Sequence, residues 1–165
     1  MNNEIMREEI LTFIEKNSRV DLKELAIIVG TDEVTVANEM AAMEKERIIC
    51  GYHTLIDWDK TSMEKVTALI EVRVTPQRGE GFDKIAERIY NYPEVRSVYL
   101  ISGAYDLMVI LEGKTLRGVS MFVAEKLSTL DQVVGTATHF ILKKYKEKHL
   151  IFEKQAPGER EFIFV

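Results

Sequence analysis

The chain has 165 residues, of which 46% are hydrophobic and 30% are charged, and it carries a formal net charge of -5 at pH 7. This size predicts one ordinary domain or two very small ones. The acidic balance excludes a protein that coats nucleic acid or an anionic membrane by bulk charge, so any contact with DNA must come from a local patch.

Cysteine content and hydropathy predict a cytoplasmic protein. The single Cys50 excludes an internal disulfide framework and a thiolate cluster for a metal, and we expect it to be a small buried residue. The N-terminus lacks the apolar stretch of a signal peptide, and nowhere do the ~18 consecutive apolar residues of a membrane span occur. We therefore expect no membrane segment.

Three helices are predicted before residue 50, because apolar residues recur there at helical spacing. The first helix ends at Asn17. The second begins after Asp21, a candidate N-cap, and ends at Gly30. The third begins after Asp32 and ends near Arg47.

A short two-stranded ribbon is predicted for residues 48–56, with its turn at Gly51. Soon after this ribbon the charge balance changes, since residues 1–60 hold seven basic and thirteen acidic side chains, a net of -6, and the remainder has a net of +1. The apolar period changes at the same place. We therefore predict one domain over residues 1–60, a second over 61–150, and a C-terminal tail over 151–165.

After the boundary, β-branched runs alternate with amphipathic helices in the order β-α-β-β-α-β. The predicted strands span residues 67–74, 95–101, 107–111 and 133–142, and the predicted helices span 82–89 and 116–127. This order is the signature of a ferredoxin-like sandwich, so the predicted fold class is α+β.

A four-stranded sheet with both helices on one side leaves its other face uncovered. Apolar residues occur on both faces of these strands, and we expect the uncovered face to pack against a second copy of the chain. The tail, residues 151–165, contains Phe152, Phe162 and Phe164. It is too apolar to be free, and we expect it to dock on a partner subunit.

Three segments in this order and spacing resemble those of a known family. Residues 10–30 (ILTFIEKNSRVDLKELAIIVG) are similar to its opening I-L-x-x-L-x-x-N-x-R and E-L-A helix, residues 43–52 to its M-E-x-x-x-I-I-x-G-Y segment, and residues 102–106 (S-G-A-Y-D) to its G-x-Y-D turn. Over nearly its whole length the chain resembles the Lrp/AsnC family of transcriptional regulators.

The resemblance implies a winged helix-turn-helix that binds operator DNA, joined to an effector-binding dimerisation domain. It also implies that dimers assemble into tetramers, octamers or larger discs, and that an amino acid binds at or near the interfaces between dimers. Effector binding would then alter the transcription of amino-acid metabolism genes.

The third helix would be the recognition helix that enters the major groove. We expect Thr35 and Asn38 to face outward, and an Asn amide can pair with adenine in bidentate fashion. The candidate DNA-binding residues are Thr31, Thr35, Asn38, Lys45 and Arg47. The available phosphate partners are Arg7, Lys16, Arg19, Lys23, Arg47 and Lys60.

Acidic residues in the same helix oppose DNA binding, because carboxylates repel phosphates. They are Asp32, Glu33, Glu39, Glu44 and Glu46. Two interpretations stay open: a weak DNA-binding module that depends on several copies acting together, and a degenerate helix-turn-helix kept for packing. Asp32 is itself more typical of a helix cap.

The S-G-A-Y-D turn supplies the effector hypothesis. Gly103 permits positive φ and close approach of a ligand to backbone amides, Tyr105 offers a hydroxyl, and Asp106 can hold an amino group. Thr136 and Thr138, on the last strand, can add hydroxyls to the same cleft. Alternatively, Tyr105 fills the dimer interface, Asp106 caps a turn and β-propensity explains the threonines.

An enzyme is the rival class for a small ferredoxin-like domain. The sequence contains no suggestive Ser-His-acid arrangement, no phosphate-cradling glycine loop and no metal cluster, so we expect no catalytic residues, metal or cofactor. We predict a sequence-specific DNA-binding transcriptional regulator modulated by an amino acid. The alternative is an oligomeric amino-acid sensor whose helix-turn-helix no longer binds DNA.

Overall fold

The computed structural model describes residues 3–76 and 81–152. Contacts divide the chain into two units, residues 1–56 and residues 57 onward. Position 60, where we predicted the boundary, is the last residue of a short 3-10 turn, Trp58–Lys60.

The first unit consists of three helices, as predicted. They are α1 (Asn3–Lys16), α2 (Leu22–Val29) and α3 (Glu33–Lys45). Their shared core is built around Ile10, Leu25, Val36 and Met43, whose side chains are fully buried. Caps fix the connection between α2 and α3: Gly30 ends α2 with a φ of 68°, and the Asp32 side chain accepts a hydrogen bond from the backbone N–H of Thr35.

The ribbon predicted for residues 48–56 is wrong, since the structure has no strand there. Arg47 instead adopts a left-handed φ of 62°. The backbone N–H groups of Ile48 and Ile49 then donate to the carbonyl of Met43, at 2.9 and 3.1 Å. The residues expected to form the first strand therefore terminate α3, and Ile49 is buried in the helical core.

The second unit has the predicted β-α-β-β-α-β order. Its elements are β1 (Val66–Val74), α4 (Asp83–Tyr90), β2 (Val95–Leu100), β3 (Leu107–Gly113), α5 (Leu116–Phe122) and β4 (Val133–Phe140). The antiparallel sheet has the strand order β2-β3-β1-β4. This confirms the ferredoxin-like fold, with α5 continued by a π-helical turn, Val123–Leu127.

Alternation along the strands determines which residues enter the core. In β1, Ala68, Ile70, Val72 and Val74 are buried with the helices, and the residues between them point to the opposite face. That opposite face carries Leu69 with its cross-strand partner Ile110. Both remain partly exposed.

A small hairpin follows the sheet, formed by β5 (Lys146–Glu147) and β6 (Leu150–Ile151). Phe152 lies next to it, and its carbonyl accepts a hydrogen bond from Lys60 Nζ at 3.4 Å. The rest of the predicted docking tail, including Phe162 and Phe164, lies outside the described residues. Among the described helices, none combines the length and apolar character that a membrane crossing requires.

Candidate functional site: the exposed face of α3 and the 102–106 turn

Helix α3 buries one side and exposes the other. Val36 and Met43 are fully buried, whereas Val34, Asn38, Ala41 and Lys45 are exposed. At about 100° per residue these four positions fall on one stripe, which we call the outward stripe. The core thereby fixes which side chains of α3 a partner can reach.

The two candidate threonines lie beside this stripe and are half-buried. The Thr35 hydroxyl donates to Asp32 Oδ2 at 2.7 Å, and its backbone N–H donates to Oδ1 at 2.9 Å. These bonds, led by the one from the hydroxyl, lower the pKa of Asp32. The Thr31 N–H donates to the carbonyl of Ala26 at 3.0 Å. Asp32 is thus the N-cap of α3. The Thr35 side chain is hydrogen-bonded to this cap and does not project outward as we expected.

Two carboxylates of the α3 region are paired with α1. The guanidinium of Arg7 donates to Glu39 Oε2 at 2.6 Å and to both oxygens of Glu46 at 2.9 and 3.2 Å. Bonds first to Glu46 and then to Glu39 raise the pKa of Arg7. The expectation that Arg7 serves as a phosphate partner is therefore corrected, because its guanidinium neutralises carboxylates of the protein itself.

A third carboxylate, Glu44, accepts a hydrogen bond from the Tyr52 hydroxyl at 2.8 Å. Partial burial, and then this bond, raise the pKa of Tyr52 to about 12. Glu44 lies on the flank of α3 opposite to Glu39 and Glu46. The outward stripe between the flanks contains no carboxylate, and its only charge is that of Lys45.

The end of α3 is also exposed. Arg47, two residues beyond Lys45, adopts a left-handed backbone conformation. Its carbonyl accepts a weak hydrogen bond from Cys50 Sγ at 3.1 Å. Cys50 is exposed, so the expectation that it is buried is wrong. Residues 47–49 bring the chain back onto the core and leave position 50 outside.

The second candidate site is the turn of residues 102–106, between β2 and β3. The N–H of Ile101 donates to the carbonyl of Asp106 at 2.9 Å, and the N–H of Asp106 donates to the carbonyl of Val72 at 3.1 Å. The Asp106 carboxylate accepts a hydrogen bond from the N–H of Val74 at 2.8 Å. Asp106 therefore joins the turn to β1.

Arg73 holds the other side of the turn. Its Nη2 donates to the carbonyl of Ala104 at 2.8 Å, and its guanidinium carbon lies 5.2 Å from the centre of the Tyr105 ring. Gly103 does not adopt the positive φ that a glycine permits. A Cβ added there would meet no described atom within 4 Å, so the backbone at this position is open to approach.

The threonines of β4 lie on the helix-facing side of the sheet. Thr136 pairs with Val72 and Thr138 with Ile70, both of which are buried core residues. The Thr136 hydroxyl lies 3.5 Å from that of Ser128. The structure thus places Asp106 and Thr136 on either side of Val72, with Thr138 two residues farther along the strand.

Residues 67–151 match the Lrp/AsnC ligand binding domain, which is more than half of the chain. The chain belongs to the Lrp/AsnC family. Its members are transcriptional regulators rather than enzymes.

Individual relatives agree with this assignment. The chain is 51% identical over 146 residues to the HTH-type transcriptional regulator YugG of Bacillus subtilis, covering 88% of each protein. It is 27% identical over 133 residues to the proline dehydrogenase transcriptional activator of Rhodobacter capsulatus, covering 81% of this chain and 86% of that one. The structure of a transcriptional regulator from Neisseria meningitidis in complex with L-Met has the same fold, with a TM-score of 0.69, 21% identity, and coverage of 86% and 91%.

Sequence reasoning missed Val34 and Arg73, and it gave Arg7 the role of a phosphate partner. Val34 was detectable, because it is apolar yet out of phase with the buried stripe of α3. The pairing of Arg7 was not detectable, since its partner Glu39 lies 32 positions away and nothing local indicates the contact. The role of Arg73 could not be predicted from the sequence either, because its contact with the turn depends on how the strands pair.

Proposed function

We propose that this protein is a sequence-specific DNA-binding transcriptional regulator of amino-acid metabolism genes, controlled by a small amino acid. The observation that carries the proposal is the outward stripe of α3. Its carboxylate neighbours Glu39, Glu44 and Glu46 are hydrogen-bonded on the flanks, so the acidity of the helix is not concentrated on the surface that would meet DNA.

Helix α3 supplies the base contacts in this proposal. Asn38 can pair with an adenine edge, and Lys45 and Arg47 contact phosphates near the end of the helix. Thr31 and Thr35, at the edge of the stripe, contribute less to DNA binding. The Thr35 hydroxyl oxygen can still accept a hydrogen bond from the DNA. A dimer would place two copies of α3 about 34 Å apart or at a multiple of that spacing, so the operator would be pseudo-palindromic.

The 102–106 turn supplies the effector site. An α-amino acid needs a partner for its ammonium and donors for its carboxylate. Asp106 provides the first, and the open backbone at Gly103 together with the Tyr105 hydroxyl provides the second. Thr136 and Thr138 would line the cleft from β4. The L-Met bound by the Neisseria meningitidis regulator supports an amino acid as the ligand class.

Assembly completes the proposal. The sheet face that carries Leu69 and Ile110 would pack against a second copy, and dimers would associate further into a tetramer or an octamer. Several copies of α3 then bind one operator together, which compensates for weak individual contacts. The protein would act in the cytoplasm.

The test is binding of the full-length protein to a labelled fragment of its own promoter region, at two salt concentrations, with and without a mixture of amino acids. We expect saturable binding that weakens steeply with salt and changes when amino acids are added. Absence of binding at low salt would refute the DNA-binding part of the proposal.

One observation favours a second candidate, an oligomeric amino-acid sensor that no longer binds DNA. Residues 1–60 have a net charge of -6, which opposes association with DNA at long range. This candidate predicts no DNA binding at low salt while an amino acid still raises the melting temperature of the protein.

A further inference from the structure

Val34 is an apolar residue left in water at the start of α3. It is 69% exposed, although Val36 two residues later is fully buried. In a helix-turn-helix, the N-terminal residues of the second helix of the motif are the ones that contact base edges. Val34 thus occupies a position where an exposed apolar side chain can meet DNA.

The rest of the outward stripe indicates what kind of surface Val34 belongs to. Asn38 offers an amide one helical turn later, Ala41 is small enough to allow close approach, and Lys45 adds a positive charge at the far end. A methyl surface, an amide and a cation match the three features that an A·T-containing major groove presents, namely the thymine methyl, the adenine edge and the phosphates. Duplex DNA is therefore the occupant that this stripe fits.

We infer that Val34 packs on the C5-methyl group of a thymine while Asn38 binds an adenine, so that each half-site contains A·T pairs at both positions. Four residues span roughly 6 Å along a helix, and successive base pairs are about 3.4 Å apart. The two A·T pairs therefore lie within about two base pairs of each other. This inference rests on the proposed function, because it requires α3 to enter the major groove.

Removal of a single methyl group from the DNA gives the sharpest test. Duplexes are first selected from a random library by the full-length wild-type protein, and each thymine of the selected site is then replaced, one at a time, by deoxyuridine. Deoxyuridine differs from thymidine only by the missing C5-methyl group. We expect the wild-type protein to lose affinity about fourfold at one thymine in each half-site, the effect of one buried methyl-sized group.

The same substitutions are repeated with Val34→Ala. This variant should lose most of the difference between the thymine and deoxyuridine duplexes, because alanine lacks both γ-methyl groups of the valine and its shorter side chain withdraws from the thymine methyl. Asn38→Ala should instead keep the thymine discrimination and lose about tenfold in affinity for sites with the paired adenine. The matched control is Ile5→Ala, which truncates an apolar side chain of α1 that is 50% exposed and should behave as wild type.

Two results would overturn the inference while leaving the proposed function intact. One is DNA binding by the wild-type protein with no thymine sensitive to loss of its methyl group. The other is a sensitive thymine whose effect persists in Val34→Ala, since another residue would then make the contact. If the wild-type protein selects no duplex even at low salt, the proposed function and this inference fail together.

Discussion

Helix α3 and the 102–106 turn differ in whether the residues that stabilise the fold are also the residues proposed to bind a ligand. In α3, packing and exposure lie on opposite sides of one helix, so that Met43 is buried while Asn38 faces solvent. In the turn, a single carboxylate serves both the fold and the proposed site: Asp106 accepts a hydrogen bond from the N–H of Val74 in β1 and is also the candidate partner for an effector. The residues of the outward stripe of α3 should therefore tolerate replacement without loss of stability, whereas Asp106 should not.

The largest expected effect comes from Asp106→Ala. The N–H of Val74 would lose its acceptor at a buried position, and we expect the free energy of unfolding in urea to fall by about 1–3 kcal/mol. The rise in melting temperature produced by a mixture of amino acids should disappear as well.

Asp106→Asn is the matched control, because its amide oxygen can still accept from Val74. Its stability should approach that of the wild type, while the amino-acid response stays reduced for lack of the negative charge. If Asp106→Ala proves as stable as the wild type, the contrast between the turn and α3 is wrong.

The second effect concerns the flank of α3. Arg7→Met leaves Glu39 and Glu46 unneutralised next to the proposed DNA surface, and we expect affinity for a selected duplex to fall roughly tenfold at low salt and less at high salt. Fluorescence anisotropy at several salt concentrations measures both quantities.

Adding Glu39→Gln and Glu46→Gln to the Arg7→Met protein should restore most of the lost affinity, since the repelling charges are removed. A loss that these changes do not rescue would show that Arg7 acts by holding the fold of the first unit. Circular dichroism of each variant checks that all three helices are retained.

The smallest effect is expected from Tyr52→Phe, which removes the hydrogen bond to Glu44. Because burial and then the bond to Glu44 raise the pKa of Tyr52 to about 12, from an ordinary tyrosine value of about 10, the stability that depends on the protonated hydroxyl is fully present below pH 10 and is lost as the pH rises through 12. The wild type should thus be slightly more stable than the variant at pH 8, and its stability relative to the variant should fall steadily from pH 10 to pH 12, because phenylalanine does not ionise. An advantage of the wild type that grows over this range in thermal unfolding would contradict the assignment.

Local patterns were enough to predict most of the backbone. Alternating apolar residues predicted the four strands of the sheet, and helical spacing with Asp and Gly caps predicted α2 and α3. The ribbon over residues 48–56 could not be excluded, because the left-handed turn at Arg47 occurs without the glycine that usually indicates one.

The sites were less accessible from the sequence, because their geometry depends on contacts between distant positions. The outward placement of Asn38 followed from its helical phase. The commitment of Thr35 to Asp32 could have been inferred from the cap itself, since an N-cap bonds to the residue three positions later. The bond between Arg73 and Ala104 depends on how β1 and β3 pair, and no short motif encodes it.

The left-handed backbone of Arg47 bears on which residue type stability would favour at this position. For a residue with a Cβ, a φ of 62° costs about 1–2 kcal/mol relative to a right-handed conformation, and glycine would adopt it without strain. Selection for stability alone would therefore favour glycine at position 47. An arginine at this strained position agrees with the phosphate contact that we propose for Arg47 at the end of α3.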